Sequence, residues 1–346
     1  MRTGLLGTGL AIALAWAGMA APVSAQSVAD FYKGKQIEII SSAGVGTQYD
    51  GWARVLARHL HRFIPGGPAV TVKNMPGGGH IIATNHLYNV AAKDGTVLGM
   101  ISRTIPTSAA MKNPAIKFNV TEFNWLASTD NPYYVCAANN DAKAKKAEDL
   151  FATELTVGGA GTGSGASTVP IMLAGVLGMK FKLVEGYTSP TEIMLAMERK
   201  EVESICITIS SIMQHRPGWV ESGRLRPLLT LDKNALTFIP GVTIPSIHPL
   251  TKTEEQRQII AFFNANADLG RPLLAPPGVP QDRVAALRKA FAAALQDGEV
   301  VAEAKKLNYD HAPLSGEELK IRVDSLMATP DAVIEKAKPY LVTGGG

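Results

Sequence analysis

Two glycine-bearing turns carry the residues of this sequence best suited to chemistry. The first reads Ser41-Ser42-Ala43-Gly44-Val45-Gly46-Thr47-Gln48-Tyr49-Asp50, and the second reads Ala160-Gly161-Thr162-Gly163-Ser164-Gly165-Ala166-Ser167-Thr168. Each follows an apolar run and precedes an apolar-periodic segment, so each is a strand-to-helix turn. Glycines at such a turn let backbone amides approach a ligand closely. The helix that starts there presents unpaired N–H groups and the positive end of its dipole. Thr47, Ser164, Ser167 and Thr168 add hydroxyl donors. Turns of this composition hold an anion, which leaves a phosphate, a developing oxyanion or a carboxylate.

The alternatives separate on motif detail. A phosphate loop of the Walker kind ends in Gly-Lys-Ser/Thr, and Thr47-Gln48-Tyr49 does not. Gly161 to Ala166 satisfies G-x-G-x-x-A, and Glu185 ends the next strand near where a ribose-binding acid would stand, so the second turn alone is compatible with a dinucleotide. The same glycines also serve a tight turn with no ligand at all. A nucleophile elbow requires G-x-S-x-G, and the residues two before and two after Ser164 are Thr162 and Ala166. Cys136 and Cys206 lie inside apolar strand runs. His80 neighbours a glycine loop without an evident acid partner, and Asp50 reads as a helix-start residue or a polar ligand contact. The seven histidines are scattered and no C-x-x-C occurs, which argues against a metal. No catalytic constellation and no cofactor are implied. What remains is anion capture by two helix N-termini, with an exported α/β enzyme acting on a carboxylate or ester as the competing reading.

The elements that position these turns repeat in two halves. Gln36–Ile40 is a strand, and Trp52, Val55, Leu56, Leu60 and Phe63 mark a helix stopped by Pro65-Gly66-Gly67-Pro68. A strand at Ala69–Val72, a loop through Met75–Gly79, a helix over Ile81–Val90 and a strand over Val97–Ile101 complete the first half. The pattern restarts with strands at Leu155–Gly159, Phe181–Val184 and Ser204–Ile209, separated by helices over Val169–Leu177 and Glu192–Arg199. Such alternation implies parallel strands with right-handed crossovers, and hence two α/β lobes. Tyr133–Ala137 and Arg271–Ala275 are predicted to connect the lobes. Ligands of open parallel sheets sit beyond the carboxyl ends of the strands, where both glycine turns lie.

The chain has 346 residues and a formal net charge of +4. Met1–Ala25 reads as a cleaved secretory signal: a short basic start, an apolar run to Met19, and small residues at Val23 and Ala25. The mature chain would begin at Gln26 and be exported. Later segments offer no membrane-length apolar run. The mild basic excess is dispersed, so nucleic acid is not an expected partner.

In order along the chain, Ile37–Asp50, Asn74–Gly79, Lys93–Thr96, Gly159–Thr168, Gly186-Tyr187 with its Ser/Pro pair, Phe238–Pro245 and Leu274–Pro280 form a set that resembles the Bug (TctC) family. These are the periplasmic solute receptors of tripartite tricarboxylate transporters. The resemblance spans nearly the whole mature chain. It implies a type II periplasmic-binding-protein fold, with two doubly wound lobes joined by two crossing strands. The first lobe is then 26–132 with 270–346, and the second is 133–269. It also implies a carboxylate held partly through water by the two turns. Gly79, His80, Arg103, Thr188, Ser189 and Thr208 are the further candidate ligand contacts, and Arg103, at the carboxyl end of the third strand, reads either as a cleft-rim residue or as a bidentate partner for a second carboxylate or polar tail of the ligand. The partners are a small carboxylate and the membrane components of a transporter, and the receptor is a monomer that closes about a hinge. The sequence departs from the family's usual first loop by Gln48-Tyr49 before Asp50, and it has Thr168-Val169 where a histidine often follows the second loop's serines. In the implied fold Cys136 and Cys206 lie close enough to bond or to remain buried free thiols.

Overall fold

The computed structural model describes Met1 and residues 27–160, 164–187 and 189–341. Its elements in chain order begin with α1 (Val28–Tyr32), β1 (Gln36–Ser41), α2 (Gln48–His59), β2 (Ala69–Asn74), α3 (Ile81–Asn89), β3 (Val97–Met100), α4 (Ile105–Ala110) and β4 (Asn124–Ser128). Next come β5 (Tyr134–Asn139), β6 (Leu155–Gly158), α5 (Gly165–Leu177), β7 (Phe181–Val184), α6 (Pro190–Glu198), β8 (Ser204–Thr208), α7 (Ile209–His215), β9 (Leu225–Thr230), β10 (Leu236–Ile239), β11 (Val242–Ile244) and α8 (Glu254–Asp268). The chain ends with β12 (Pro272–Ala275), α9 (Gln281–Gln296), α10 (Gly298–Lys306), β13 (Leu314–Ser315), α11 (Gly316–Met327) and α12 (Asp331–Leu341).

Two large sheets result, ordered β13-β4-β12-β3-β1-β2 and β7-β6-β8-β5-β9, beside a two-stranded sheet of β10 and β11, and the two large sheets share one plan. In each, the first strand of the lobe pairs in parallel with its second and third. The next strand in the sheet runs antiparallel to its neighbours and has just crossed from the other half: β12 in the first sheet, β5 in the second. The strands expected to bridge the lobes are therefore interior sheet members. The crossings themselves are the short segments on their N-terminal sides, Thr129–Tyr133 and Leu269–Arg271.

Burial follows strand alternation. Ile37 and Ile39 join Trp52, Leu56 and Phe291 in one core, while Ile40 faces Leu87, Ile105 and Trp125 on the opposite face. In the second sheet Cys136 and Ala138 lie with Leu155 and Val169, and Val135 and Ala137 lie with Ile193 and Ile205. Helices thus cover both faces of both sheets, as nearly continuous apolar strands demand.

The carboxyl-terminal boundary differs from the sequence expectation. Residues 331–341 do not pack with the first lobe alone: Val333, Ile334 and Ala337 of α12 bury against Ile259 and Phe262 of α8, in a cluster that Ala110 of α4 and Leu326 of α11 also join. Tyr340 rests on α5 at Gly175, where a β-carbon would come within 2.4 Å of the ring. The apolar stripe of α12 finds its complement on the second lobe, so the chain crosses a third time after α11.

Cys136 and Cys206 are opposite one another in the β5–β8 ladder, with α-carbons 4.0 Å apart, and they form a disulfide. Of the two outcomes open to the sequence, register decides for the bond. Intact-mass measurement without reductant should show no free thiol, and reduction should lower stability by about 2–4 kcal/mol, the usual worth of a bridge closing a long loop. Unchanged denaturation after complete reduction would remove it as a stabilising element.

Candidate functional site

The first turn is organised by its own aspartate. Thr47 caps α2, its hydroxyl accepting from the Asp50 N–H at 3.3 Å. Asp50 is buried and accepts from Gly46 N (2.9 Å), Asn74 Nδ2 (2.8 Å) and Arg54 Nε (3.0 Å). Burial pushes this carboxyl up, but the Arg54, Gly46 and Asn74 donors outweigh it and hold it below the usual range. Gly46 adopts φ +84°, a conformation that favours glycine. Asp50 and the Gly46 amide are thus committed inside the turn, Ala43 is buried beneath it, and Gly44, Val45 and Thr47 form its outer surface.

Gln48 and Tyr49 turn toward the crossings. Gln48 Oε1 accepts from the Arg271 guanidinium, and that guanidinium lies 5.6 Å from the Tyr49 ring centre. Arg271 is paired with the fully buried Asp130, which also accepts from the Arg271 backbone N–H at 2.9 Å. One ion pair therefore fastens both crossings and reaches the first turn. Sequence reading placed Arg271 at the start of a connecting strand and gave Asp130 no role, and it missed their pairing because they are 141 positions apart. His80, in a left-handed conformation after Gly79, sits against Tyr49 at 5.9 Å between ring centres. Its Nδ1 is 2.9 Å from the Ser42 carbonyl oxygen and 3.1 Å from the Ser42 hydroxyl. A carbonyl oxygen only accepts, so Nδ1 carries the proton and is not a base toward that hydroxyl.

Arg103 follows β3, and its backbone N–H donates to the Tyr49 hydroxyl at 3.3 Å. Its side chain lines a cavity of about 280 Å³ with Thr104 and Thr107 of the first lobe, Tyr134, Gly165 and Thr168 of the second, and Asn266 of α8. Burial acts against the Arg103 charge, but Tyr134, Tyr49, Asp130 and Asp310 outweigh it and keep the guanidinium firmly protonated. No ion pair of the described residues involves Arg103. The opposite wall is the first turn of α5. Ser164 is its cap, accepting from Ala166 N at 3.3 Å, Thr168 Oγ1 donates to the Ser164 carbonyl at 2.9 Å, and the buried Ser167 hydroxyl has no partner among the described residues. Gly165 is required there, since a β-carbon would stand 2.4 Å from the Tyr134 ring.

Ser189 and Thr208 are the caps of α6 and α7, at the same edge of the second sheet. They do not line the Arg103 cavity. Gly161, Thr162, Gly163 and Thr188 lie outside the described residues, as does the segment read as a signal apart from Met1. A second interlobe cavity, of about 760 Å³, is walled by Tyr133, Met213, Phe238 and Tyr309, with Ser210 and Asp310 among its polar groups. Sequence reading missed Tyr134, Asn266, Ser210 and Asp310, which carry no local motif.

One cluster among the described residues has metal-ligand geometry: His59, Asp297 and Glu299. Arg62 already pairs with both of its acids, at 2.8 and 3.0 Å, which supplies the positive charge a cation would bring. No described helix is long and apolar enough to cross a membrane.

Two α/β lobes that share a five-strand order, joined by short crossings with cavities between them, have the two-lobed fold of a periplasmic binding protein. The model of the tripartite tricarboxylate transporter receptor family, TctC, matches residues 52–337, and the chain belongs to that family. It is 25% identical over 73% of its length to a UPF0065 protein of Bordetella pertussis, covering 74% of that protein. A TctC solute-binding protein from Polaromonas superposes with a TM-score of 0.70 at 18% identity, over 88% of this chain and 99% of that one. MatC of Rhodopseudomonas palustris with bound malate superposes at 0.55 and 17% identity, over 89% and 99% respectively. The family consists of solute receptors for small carboxylates that work with tripartite transporters, not of enzymes.

Proposed function

We propose that this receptor takes the carboxylate of its ligand between Arg103 and the first turn of α5. One observation carries the reading: a protonated guanidinium with no ion-pair partner among the described residues, aimed into an interlobe cavity that α5 closes from the other side. A charged donor opposite a helix N-terminus suits one carboxylate, and the Ser167 and Thr168 hydroxyls stand at the same turn. The bound malate of MatC is in keeping with a ligand of this kind.

The wider reading follows. Met1–Ala25 directs export, the mature chain works in the periplasm as a monomer, and it hands its ligand to the membrane components of a transporter. The first turn, from Ala43 to Asp50, forms the lid of one lobe, and Gly161–Thr168 forms the other. The lobes divide at 129–133 and 269–271, and these crossings bend as the ligand stabilises the closed form. A thermal-shift screen over mono-, di- and aromatic carboxylates tests capture, since a ligand at about 100 times its Kd adds about 2.7 kcal/mol to stability. Small-angle scattering with the best ligand should then give a smaller radius of gyration than without it. An identical profile at saturation would refute closure, and product formation from any stabilising acid would favour the enzyme reading.

A further inference from the structure

The cavity that Arg103 lines holds a single charge. No other described residue of its lining is ionisable at neutral pH, and Met111 and Phe263 supply apolar wall. Its volume of about 280 Å³ falls just below the range of about 300–1,000 Å³ that suits drug-sized ligands, so the occupant is small. Two of its hydroxyls are already committed as donors. Thr168 Oγ1 donates to the Ser164 carbonyl, and Thr107 Oγ1 donates to Asn266 Oδ1. The second bond joins α4 of the first lobe to α8, and it fixes the Asn266 amide. With Oδ1 held by Thr107, Nδ2 is the end of that amide left without a partner among the described residues, and it can only donate. Arg103 and Asn266 therefore present two unequal donors to one small space, a charged one and a neutral one.

Resting on the carboxylate placement given above, we propose that the ligand is a short monocarboxylate with a neutral oxygen, a hydroxy or oxo acid. Its carboxylate lies at Arg103 and its oxygen accepts from Asn266 Nδ2. Each competing class meets an obstacle. A protonated amine would bring a second positive charge into the cavity and set a donor against a donor. A second carboxylate could accept from Asn266, but it would be enclosed without a second cation, and an unpaired buried charge costs more than one hydrogen bond returns. An unsubstituted acid fits Met111 and Phe263 but leaves the Asn266 amide without an acceptor. A hydroxyl or carbonyl oxygen satisfies that donor and adds no charge. Thr107 is then a positioning residue, which holds the amide in the orientation that reads the ligand.

Calorimetry on the full mature chain compares short alkanoic acids with their hydroxy, oxo and amino derivatives and with dicarboxylates of matching length. The best hydroxy or oxo acid should bind at least about fivefold tighter than its parent, the scale of one hydrogen bond, and about tenfold tighter than the matching dicarboxylate. In Asn266→Leu the gain over the parent should fall to within about twofold, while the parent itself stays within about threefold of its wild-type affinity. Thr107→Val should narrow the gap between hydroxy and amino derivatives, because the freed amide can turn its oxygen to the ligand; an unchanged gap would remove Thr107 from positioning. A dicarboxylate or amino acid that binds as tightly as the best oxygenated monoacid, or a gain that survives in Asn266→Leu, would overturn the proposal. The wild-type ranking decides alone if Asn266→Leu does not fold. Parent acids that bind as well as their oxygenated derivatives would overturn this inference and leave the receptor reading standing, whereas failure of every class to bind would overturn that reading itself.

Discussion

Asp130→Ala is expected to lower folding stability by about 3–5 kcal/mol, the cost of leaving a buried charge without its partner. Arg271 is only 8% exposed, and its Nε is already buried without an acceptor. Removing Asp130 takes the counter-charge from the guanidinium and an acceptor from the Arg271 backbone amide at once. The neighbourhood has little room to relax, because Gly270 sits at φ +58° and a β-carbon there would come within 1.7 Å of the Asp130 carbonyl oxygen. Asp130→Asn keeps an acceptor for the backbone N–H and should cost less. The double change Asp130→Ala with Arg271→Met should recover much of the loss, since buried ion pairs are often replaceable by packed apolar groups. Urea unfolding midpoints and slopes provide the comparison. A loss below about 1 kcal/mol in Asp130→Ala would place the pair in the class of weakly contributing surface bridges.

Arg103→Gln is expected to weaken carboxylate binding by ten- to a hundredfold or more, equivalent to about 1.5–3 kcal/mol for a hydrogen bond to a charged group. Unliganded stability should change little, because the hydrogen bond that Arg103 forms among the described residues is made by its backbone, to Tyr49. Arg103→Lys keeps the charge but loses the planar fork, so it should fall between the two. Titration calorimetry at two salt concentrations separates charge from geometry, since a partly enclosed pair is screened less than an exposed one. If Arg103→Gln binds with wild-type affinity, the carboxylate lies elsewhere, and the second turn through Gly161–Ser164 becomes the place to look. Gly163→Val then tests that turn directly by blocking backbone approach.

The sequence alone determined what depends on near neighbours. Strand alternation at Ile37–Ile40, the stripe of α2, and the caps at Thr47, Ser164 and Ser189 are set by contacts within a few residues, so local pattern sufficed for the two α/β lobes and the two turns. The motif order also placed Arg103 at a strand's carboxyl end, where the structure finds it in the cleft. Tertiary structure alone decided matters of register and long-range pairing. Whether Cys136 meets Cys206 rests on the β5–β8 register, and a slip by one residue would send their side chains to opposite faces. Asp130 reads as one more polar turn residue until Arg271 arrives beside it. The helix at 331–341 shows an apolar stripe but not its destination, which the exposed faces of α5 and α8 supply. Asp50 illustrates the same limit at the site: its type suggested a helix-start residue or a ligand contact, and it stands in the first turn of α2 with its carboxylate already occupied by Asn74 and Arg54. A residue's chemistry is written in the chain, whereas whether that chemistry is already satisfied depends on which distant groups the fold brings within hydrogen-bonding distance.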